Sequence, residues 1–268
     1  MVLHASKDRI FLFLDKVIIM KIVSAIKMFK KLFSEDKFQR EYAGFIIAEK
    51  LSKFLYPTLI FSEYARTWLN DQDFLEYYKK FSPDNLHSAD RKFLLRSILS
   101  LVDYLEGDTA ECGVFEGASS WLICDKFRSS SKIHHLFDSF EGLSEPSLVD
   151  GNYWSRGDLT TQETIVADNL SEYRGKFITY KGWIPERFNE VSNQGFCFVH
   201  VDVDLYEPTL ESIRFFYPRL VKGGILLCDD YGFDTCPGAT KAFDEYMHDK
   251  PEKIVHVPTG QGFIIKRD

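Results

Sequence analysis

From residue 109 onward, short apolar segments alternate with segments of helical periodicity, and this alternation constrains the fold more than any other feature of the sequence. Most of the apolar segments are nearly continuous, which predicts strands that are buried on both faces. Strands that alternate with helices form a parallel sheet covered by helices on both sides. The seven predicted strands are residues 109–115, 133–138, 177–182, 196–204, 223–230, 253–257 and 262–266.

Helices are predicted between these strands, and the end of the chain departs from the pattern. The predicted helices are residues 117–128, 161–172, 184–193, 208–220 and 237–249. Only residues 258–261 separate the last two strands, and so short a connection makes an antiparallel hairpin. Seven mostly parallel strands with a C-terminal antiparallel hairpin predict an α/β fold of the Rossmann-like class I methyltransferase type.

The first 105 residues have a different texture and are predicted to be helical. Segments 38–55, 61–80 and 89–106 carry apolar residues at helical spacing, and the sequence at 82–84, Ser-Pro-Asp, breaks the run. We therefore predict two regions, a helical N-terminal region over residues 1–105 and an α/β domain over residues 106–268.

The longest apolar stretch is residues 10–33, and its charges at Asp15, Lys16, Lys21 and Lys27 argue against a membrane-spanning helix. No small-x-small site follows it, so a cleaved signal peptide is not expected either. A basic amphipathic helix can lie on a membrane surface. The alternative is a helix that packs on its own domain or on a partner subunit. We predict a cytoplasmic protein, with peripheral membrane contact through this helix left open.

Charge and cysteine content exclude two broad classes of protein. The formal net charge is -7, which argues against a nucleic-acid binder that relies on a basic surface. The five cysteines are odd in number and form no CxxC pair, and several of them sit in apolar runs. They are predicted to be buried free thiols of a reducing compartment, without disulfides or a zinc site.

A turn with two glycines follows the first predicted strand, and a helix begins directly after it. Residues 110–120 read AECGVFEGASS, with Gly113 and Gly117 in the turn. Glycine lets the backbone approach a ligand closely, and ligands of open α/β sheets bind outside the carboxyl ends of strands. The acidic Glu111 does not suit a phosphate site but would suit a cofactor that carries an amino group and a sulfonium. Packing or turn formation without a ligand is the alternative.

An acidic residue, Asp138, ends the second predicted strand about 25 residues after Gly113, which is where dinucleotide-type sites place a ribose-binding carboxylate. The alternative is a helix N-cap. The glycine turn and Asp138 together are a stronger signal than either alone.

Carboxylates cluster at the ends of two later strands. The run HVDVDLYEPT is predicted to place His200, Asp202 and Asp204 on one side of a strand, and the following strand brings Asp229 and Asp230 to the same edge. Such carboxylates are costly unless paired or metal-bound, and no basic residue is nearby in the sequence. Oxygen ligands alone suit Mg²⁺ or another hard divalent cation. Capping or turn roles for some of the four carboxylates are the alternative.

These motifs together resemble the macrocin O-methyltransferase family, over roughly residues 105–266. The motifs are AECGVFEGASS, LFDSFEG, KGWIPERF, HVDVDLYEPT and GGILLCDDYG. Members of the family are S-adenosylmethionine- and Mg²⁺-dependent methyltransferases that act on sugar hydroxyls of macrolide and aminocoumarin natural products. The resemblance implies an O-methyltransferase (EC 2.1.1). It also implies that the N-terminal helices supply substrate-recognition and dimer contacts, so that the protein is a homo-oligomer.

The resemblance also implies a role for each matching residue. The implied cofactor contacts are Glu111, Gly113 and Gly117 for the amino-acid part, Asp138 and Ser139 for the ribose, and Gly182 and Trp183 for the adenine side. A packed aromatic side chain is the alternative for Trp183.

The implied metal ligands are Asp202, Asp229 and Asp230, and Asp202 is also the first candidate for the base that accepts the hydroxyl proton. His200 is the second candidate, although a hydrogen-bonded core position is expected for it. Asp204 is either a ligand itself or a carboxylate outside the ligand set.

The acceptor stays open at the level of sequence. A sugar hydroxyl of a glycosylated natural product or of a surface-glycan precursor is favoured, and the long N-terminal region suits a bulky acceptor. A catechol or other small phenol is the second possibility, and a non-catalytic cofactor-binding scaffold is the third. The aromatic and polar loop over residues 150–160 is predicted to be a lid over the site, with an ordinary exposed loop as the alternative.

Overall fold

The computed structural model describes residues 25–57, 64–81 and 88–268. The chain divides into two compact units, residues 1–75 and residues 76–268. The unit that contains the sheet therefore begins before the predicted boundary at residue 105, and the separate roles of residues 1–105 and 106–268 stay predictions.

The described part of the N-terminal region is largely helical, as predicted. Residues 25–31 are helical, α1 spans Lys37–Leu55, a 3-10 helix spans Thr67–Asn70 and α2 spans Gln72–Phe81. Residues 10–24 of the predicted amphipathic segment and the predicted break at 82–84 lie outside the described residues. No helix in the described ranges has the length and apolar character that a membrane crossing needs.

A seven-stranded sheet forms the centre of the second unit. Its strands are β1 (Asp108–Cys112), β2 (His134–Asp138), β3 (Phe177–Lys181), β4 (Phe196–Val201), β5 (Leu220–Cys228), β6 (Val255–His256) and β7 (Gly262–Ile265). Its helices are α3 (Ala89–Ile98), α4 (Ala118–Lys126), α5 (Glu163–Asn169), α6 (Tyr206–Phe216) and α7 (Pro237–Met247). The strand order is β3-β2-β1-β4-β5-β7-β6, with β7 antiparallel to β5 and β6 and the other pairs parallel. The predicted class I methyltransferase fold is confirmed.

Two apolar clusters cover the two faces of the sheet, which is why the strands lack polar alternation. Leu136 of β2 packs in a cluster with Cys124 of α4 and Val166 of α5. Its neighbour Phe137 belongs to a second cluster, with Phe216 of α6. Successive strand residues point to opposite faces, so helices shield both sides of β2. The five cysteines are free and buried, as predicted.

The ends of β1 and β4 differ from the prediction because their backbones pack against each other. The Asp202 amide donates to the Cys112 carbonyl at 2.9 Å, and a Cβ at Gly113 would overlap the Asp202 carbonyl oxygen. Gly113 adopts φ +81° and Asp204 adopts φ +59°, so neither strand continues. The prediction that His200, Asp202 and Asp204 share one side of a single strand is therefore wrong.

The helix predicted over residues 184–193 is also wrong in its extent. Only a 3-10 helix forms there, over Phe188–Val191. The preceding turn is closed by i to i+3 hydrogen bonds, from the Glu186 amide to the Trp183 carbonyl at 2.7 Å and from the Phe188 amide to the Pro185 carbonyl at 3.0 Å. This bonding pattern replaces the i to i+4 pattern that an α-helix requires.

Candidate active site

A cavity of about 510 Å³ opens at the carboxyl ends of the central strands, within the size range of small-molecule and cofactor sites. One wall is the turn after β1, from Gly113 to Phe115. Another is the end of β2, with Asp138 and Ser139. Residues that follow β4 and β5 supply carboxylates to the same space. The predicted cofactor region and the predicted carboxylate cluster thus share one cavity.

Asp138 joins the two strand ends that form the first part of the cavity. Its Oδ2 accepts hydrogen bonds from the amides of Val114 at 2.7 Å and Phe115 at 3.0 Å, and its Oδ1 accepts one from Phe140 at 2.7 Å. Burial raises the pKa of Asp138 despite these three bonds. No helix begins directly after β2, so Asp138 is not a helix N-cap. Each carboxylate oxygen has more than one acceptor site, so a ribose hydroxyl can still donate to it.

Asp138→Ala is expected to lower both stability and cofactor affinity. Three hydrogen bonds to a charged acceptor are lost, so the free energy of unfolding should fall by at least about 2 kcal/mol. If Asp138 holds the ribose as predicted, S-adenosylmethionine binding should also weaken by about 1–3 kcal/mol. Urea denaturation and titration calorimetry measure the two quantities. If the variant folds and its cofactor affinity is unchanged, Asp138 has only a structural role.

Glu111 lines the cavity and is the centre of a buried polar network. It is paired in register with His200 of the neighbouring strand, and its Oε1 lies 2.9 Å from His200 Nδ1. Its Oε2 accepts a short hydrogen bond from Ser120 Oγ and lies 3.5 Å from His134 Nε2. Burial works to raise the pKa of Glu111, but hydrogen bonds with His134 and His200 outweigh it and hold the pKa well below its usual value.

His200 extends this network to the end of β5. Its Nε2 lies 3.1 Å from Asp229 Oδ1, and Gln261 donates to the same oxygen at 2.5 Å. His200 is fully buried and does not line the cavity. The expected core position of His200 is therefore confirmed, and its two ring nitrogens link Glu111 to Asp229.

Glu111→Gln is expected to destabilise the protein by about 3–5 kcal/mol at pH 7, because it removes one partner of a buried charged network. The pKa of Glu111 is lower in the folded state than its unfolded value of about 4.3, so its contribution is fully present above that value. As pH falls below about 4.3, that contribution declines and the difference from wild type narrows. Urea denaturation between pH 7 and pH 3.5 measures the difference.

The exposed Glu141→Gln is the matched control for this change and should leave stability within about 0.5 kcal/mol of wild type. A loss for Glu111→Gln that stays constant over the whole pH range would contradict the depressed pKa.

Among the carboxylates that line the cavity, those of Asp202, Asp204 and Asp230 lie just after β4 and β5. The Asp204 amide donates to Asp230 Oδ2 at 3.0 Å. Burial, reinforced by the nearby Asp202 charge, raises the pKa of Asp230 to about 6. Burial and the charges of Asp230 and Asp202 raise the pKa of Asp204 well above its usual value. The cluster therefore has an excess of negative charge.

A bound divalent cation would compensate the excess negative charge of this carboxylate cluster. Asp202 lines the cavity, and among the described residues none donates a hydrogen bond to its carboxylate. One carboxylate oxygen of Asp202, one of Asp229 and a ring nitrogen of His200 lie within 4.8 Å of one another, as do single atoms of Asp204, Asp230 and Cys236. The oxygens suit Mg²⁺, which takes a few carboxylates and keeps water ligands.

Asp229 differs from the other two predicted ligands. It is 1% exposed and lies outside the cavity lining, with Oδ1 held by His200 and Gln261. Its place is thus beneath the cluster, where it links the carboxylates to the buried network.

Two cations at the start of α3 also belong to the site, and the sequence analysis missed them. Arg91 lines the cavity and pairs with Asp229 and Asp230. Lys92 is 1% exposed and donates a short hydrogen bond to Ser119 Oγ. Burial lowers the pKa of Lys92. No local motif marks this pair, because α3 precedes the acidic strands by more than a hundred residues and only the fold brings them together.

The remaining predicted cofactor residues divide into those that line the cavity and those that shape the backbone. Trp183 and Ser139 line it. Gly117 begins α4 with φ +85°, and the Gly182 amide donates to the Asp138 carbonyl at 3.0 Å. Neither glycine is part of the lining.

The loop over residues 150–160 contributes aromatic walls. Tyr153 and Trp154 line the cavity, and the Trp154 indole donates to Cys236 Sγ at 3.3 Å. Asp150 anchors the start of the loop, since its Oδ1 accepts a 2.6 Å hydrogen bond from the Tyr206 amide and its Oδ2 one from Ser147. The loop thus covers one side of the cavity, and its closure as a lid stays a prediction.

Comparison with solved structures supports the fold. The calicheamicin methyltransferase CalS11 superposes with a TM-score of 0.60 at 17% identity, covering 89% of this chain and 96% of that chain. The O-methyltransferase NovP superposes with a TM-score of 0.58 at 22% identity, covering 69% of this chain and 84% of that chain.

Comparison of sequences identifies related enzymes. The 8-demethyl-8-(2,3-dimethoxy-alpha-L-rhamnosyl)-tetracenomycin-C 4'-O-methyltransferase of Streptomyces olivaceus is 28% identical in a 152-residue alignment that covers 52% of this chain and 58% of the relative. The mycinamicin III 3''-O-methyltransferase of Micromonospora griseorubida is 25% identical in a 177-residue alignment that covers 59% of this chain and 68% of the relative. The first of these matches thus spans little more than half of the relative's length. The family model described as Macrocin-O-methyltransferase (TylF) matches residues 92–259, and the chain belongs to that family.

Proposed function

We propose that this protein is an S-adenosylmethionine- and Mg²⁺-dependent O-methyltransferase that methylates a sugar hydroxyl of a glycosylated natural product or of a surface-glycan precursor. The observation that carries the proposal is the single cavity that joins the glycine turn and Asp138 to the carboxylates of Asp202, Asp204 and Asp230. Membership of the family supports the methyl-transfer chemistry. The names of two relatives, which act on sugar-bearing compounds, support the acceptor class.

The cofactor would occupy the part of the cavity between β1 and β2. Asp138 would accept hydrogen bonds from ribose hydroxyls, with Ser139 beside it, and Glu111 and the turn from Gly113 to Phe115 would contact the amino-acid part. Trp183 offers an aromatic face on the adenine side. When bound, S-adenosylmethionine would supply an electrophilic methyl group on its sulfonium, which would pass to the acceptor oxygen as the C–S bond breaks and S-adenosylhomocysteine leaves as a neutral thioether.

The carboxylates would prepare the acceptor. Asp202, Asp229 and Asp230 are the proposed ligands of Mg²⁺, and Asp202 and Asp230 line the cavity while Asp229 lies behind them and Asp204 beside them. Bound Mg²⁺ would lower the pKa of the acceptor hydroxyl and orient it. Asp202 carries the free oxygens that can accept the hydroxyl proton, whereas His200 is committed to Glu111 and Asp229.

The aromatic walls favour a ring-shaped acceptor. Tyr153, Trp154 and Phe233 line the same cavity as the carboxylates. Their faces can pack on the C–H face of a sugar ring while its hydroxyls reach the acidic wall. A catechol or small phenol would use the same walls, and it is the second candidate. Homo-oligomer formation and membrane contact through the N-terminal region stay predictions.

The test is a methylation screen with isotope-labelled cofactor, run with Mg²⁺ and with EDTA. Glycosylated natural products, glycan fragments, nucleotide sugars and catechols are the acceptors, and mass spectrometry locates the added methyl group. We expect transfer to a sugar hydroxyl that EDTA abolishes and Mg²⁺ restores. Transfer only to catechols would favour the second candidate. Cofactor binding without transfer to any acceptor would indicate a scaffold.

A further inference from the structure

The guanidinium of Arg91 lies inside the carboxylate cluster, where it is the one cation among the described residues that line the cavity. Its Nη2 is in close contact with Asp229 Oδ2, 3.5 Å from Asp230 Oδ1 and 3.3 Å from the Asp229 carbonyl oxygen. The guanidinium carbon lies 4.8 Å from the centre of the Phe233 ring. Arg91 therefore neutralises the same acidic wall that the proposed function assigns to Mg²⁺.

The ion pair between Arg91 and the carboxylates has fewer hydrogen bonds than a permanent structural ion pair usually has. Arg91 reaches the carboxylates through a single nitrogen, whereas stable arginine–carboxylate pairs commonly use two parallel hydrogen bonds. Arg91 Nε is buried without a hydrogen-bond partner among the described residues. The Arg91 side chain keeps 16% of its surface exposed at the cavity, so it has a path out of the cluster.

A divalent cation would need the same oxygens. Two positive groups a few ångströms apart repel each other strongly in a partly buried site. Occupation of Asp229 and Asp230 by Arg91 and their occupation by the metal therefore oppose each other. The stacking of Arg91 on Phe233 gives the guanidinium a second contact that does not depend on the carboxylates.

We propose that Arg91 is the internal counter-ion of the carboxylate cluster, which holds Asp229 and Asp230 in the metal-free protein and competes with the divalent cation for them. This inference rests on the proposed metal site. It makes Arg91 a positioning residue that sets the affinity of the site for the metal. It also predicts that metal binding displaces the Arg91 side chain toward the cavity.

The test is Mn²⁺ binding to the full chain, followed by the electron paramagnetic resonance signal of the free ion. Arg91→Met keeps the apolar stem over Phe233 and removes the charge. It should bind Mn²⁺ at least about tenfold more tightly than wild type, because a competing cation is gone. Its melting temperature in EDTA should be lower than that of wild type, and Mn²⁺ should raise it by more.

Three further variants sharpen the test. Arg91→Gln should show the same tighter binding, and it replaces Arg91→Met if that variant fails to fold. Arg91→Lys keeps the charge and should bind Mn²⁺ less tightly than either. Arg128→Met removes an exposed cation that pairs with Asp125, and it controls for net charge.

The possible outcomes separate this inference from the proposed function. Wild-type binding of Mn²⁺ with equal or weaker binding by Arg91→Met and Arg91→Gln would overturn the competition alone. Absence of Mn²⁺ binding by wild type and by both neutral variants would overturn the metal site as well. Tighter binding by Arg128→Met equal to that of Arg91→Met would assign the effect to overall charge and overturn the role of Arg91.

Discussion

Asp202→Asn is expected to lower the methylation rate by at least about 10²-fold, the lower size of a general-base contribution. Asp202 lines the cavity and its carboxylate accepts no hydrogen bond from the described residues, so its oxygens are available to the metal and to the acceptor hydroxyl. An amide oxygen can still approach a cation, and saturating Mg²⁺ should restore metal binding in part. It cannot take the hydroxyl proton, so the rate should stay low.

The response to Mg²⁺ distinguishes a base from a ligand. Added Mg²⁺ can compensate for a weakened ligand, whereas it cannot replace a lost proton acceptor. Initial rates over a series of Mg²⁺ concentrations measure this, with the exposed Asp234→Asn as the matched control. Full recovery of the Asp202→Asn rate at high Mg²⁺ would show that Asp202 is a ligand only. Water or Asp204 would then take the proton.

Asp230→Asn is expected to lower turnover by at least about 10²-fold while the protein still folds. Metal chemistry supplies several kcal/mol of transition-state stabilisation, and each 1.36 kcal/mol is a factor of about ten in rate. Asp230 lines the cavity, and burial and the Asp202 charge raise its pKa to about 6. A carboxylate in such surroundings is stabilised when a cation binds to it. The readouts are initial rate, Mn²⁺ affinity and the far-ultraviolet circular dichroism spectrum.

Comparison of Asp229→Asn with Asp230→Asn separates a loss of metal binding from a loss of structural stability. Asp229 is 1% exposed and bonded to His200 and Gln261, so this variant should lose stability together with activity. Asp230→Asn should keep cofactor affinity close to wild type, because the proposed cofactor contacts lie mainly at the ends of β1 and β2. Near-normal rates in Mg²⁺ for both variants would contradict the metal assignment.

Local periodicity was enough to predict the order and type of the elements around the site. The apolar segments are strands because both faces of the sheet are covered, as Leu136 and Phe137 illustrate by packing in opposite clusters. The short connection before β7 predicted its antiparallel pairing. Periodicity was less informative at strand ends. There β1 and β4 end where the backbones of Gly113 and Asp202 pack closely against each other.

Sequence by itself determined the fold class, the family and the identity of the carboxylates, because these depend on periodicity and on residues close together in the chain. Only the tertiary structure decided which of those groups share a space. It placed Asp229 beneath the cavity, committed His200 to Glu111, and brought Arg91 against Asp230 across 139 residues of sequence. The physical reason is that charge pairing depends on distance in space. The distance between Arg91 and Asp230 is set by how α3 and the five strands that follow it pack in the folded chain.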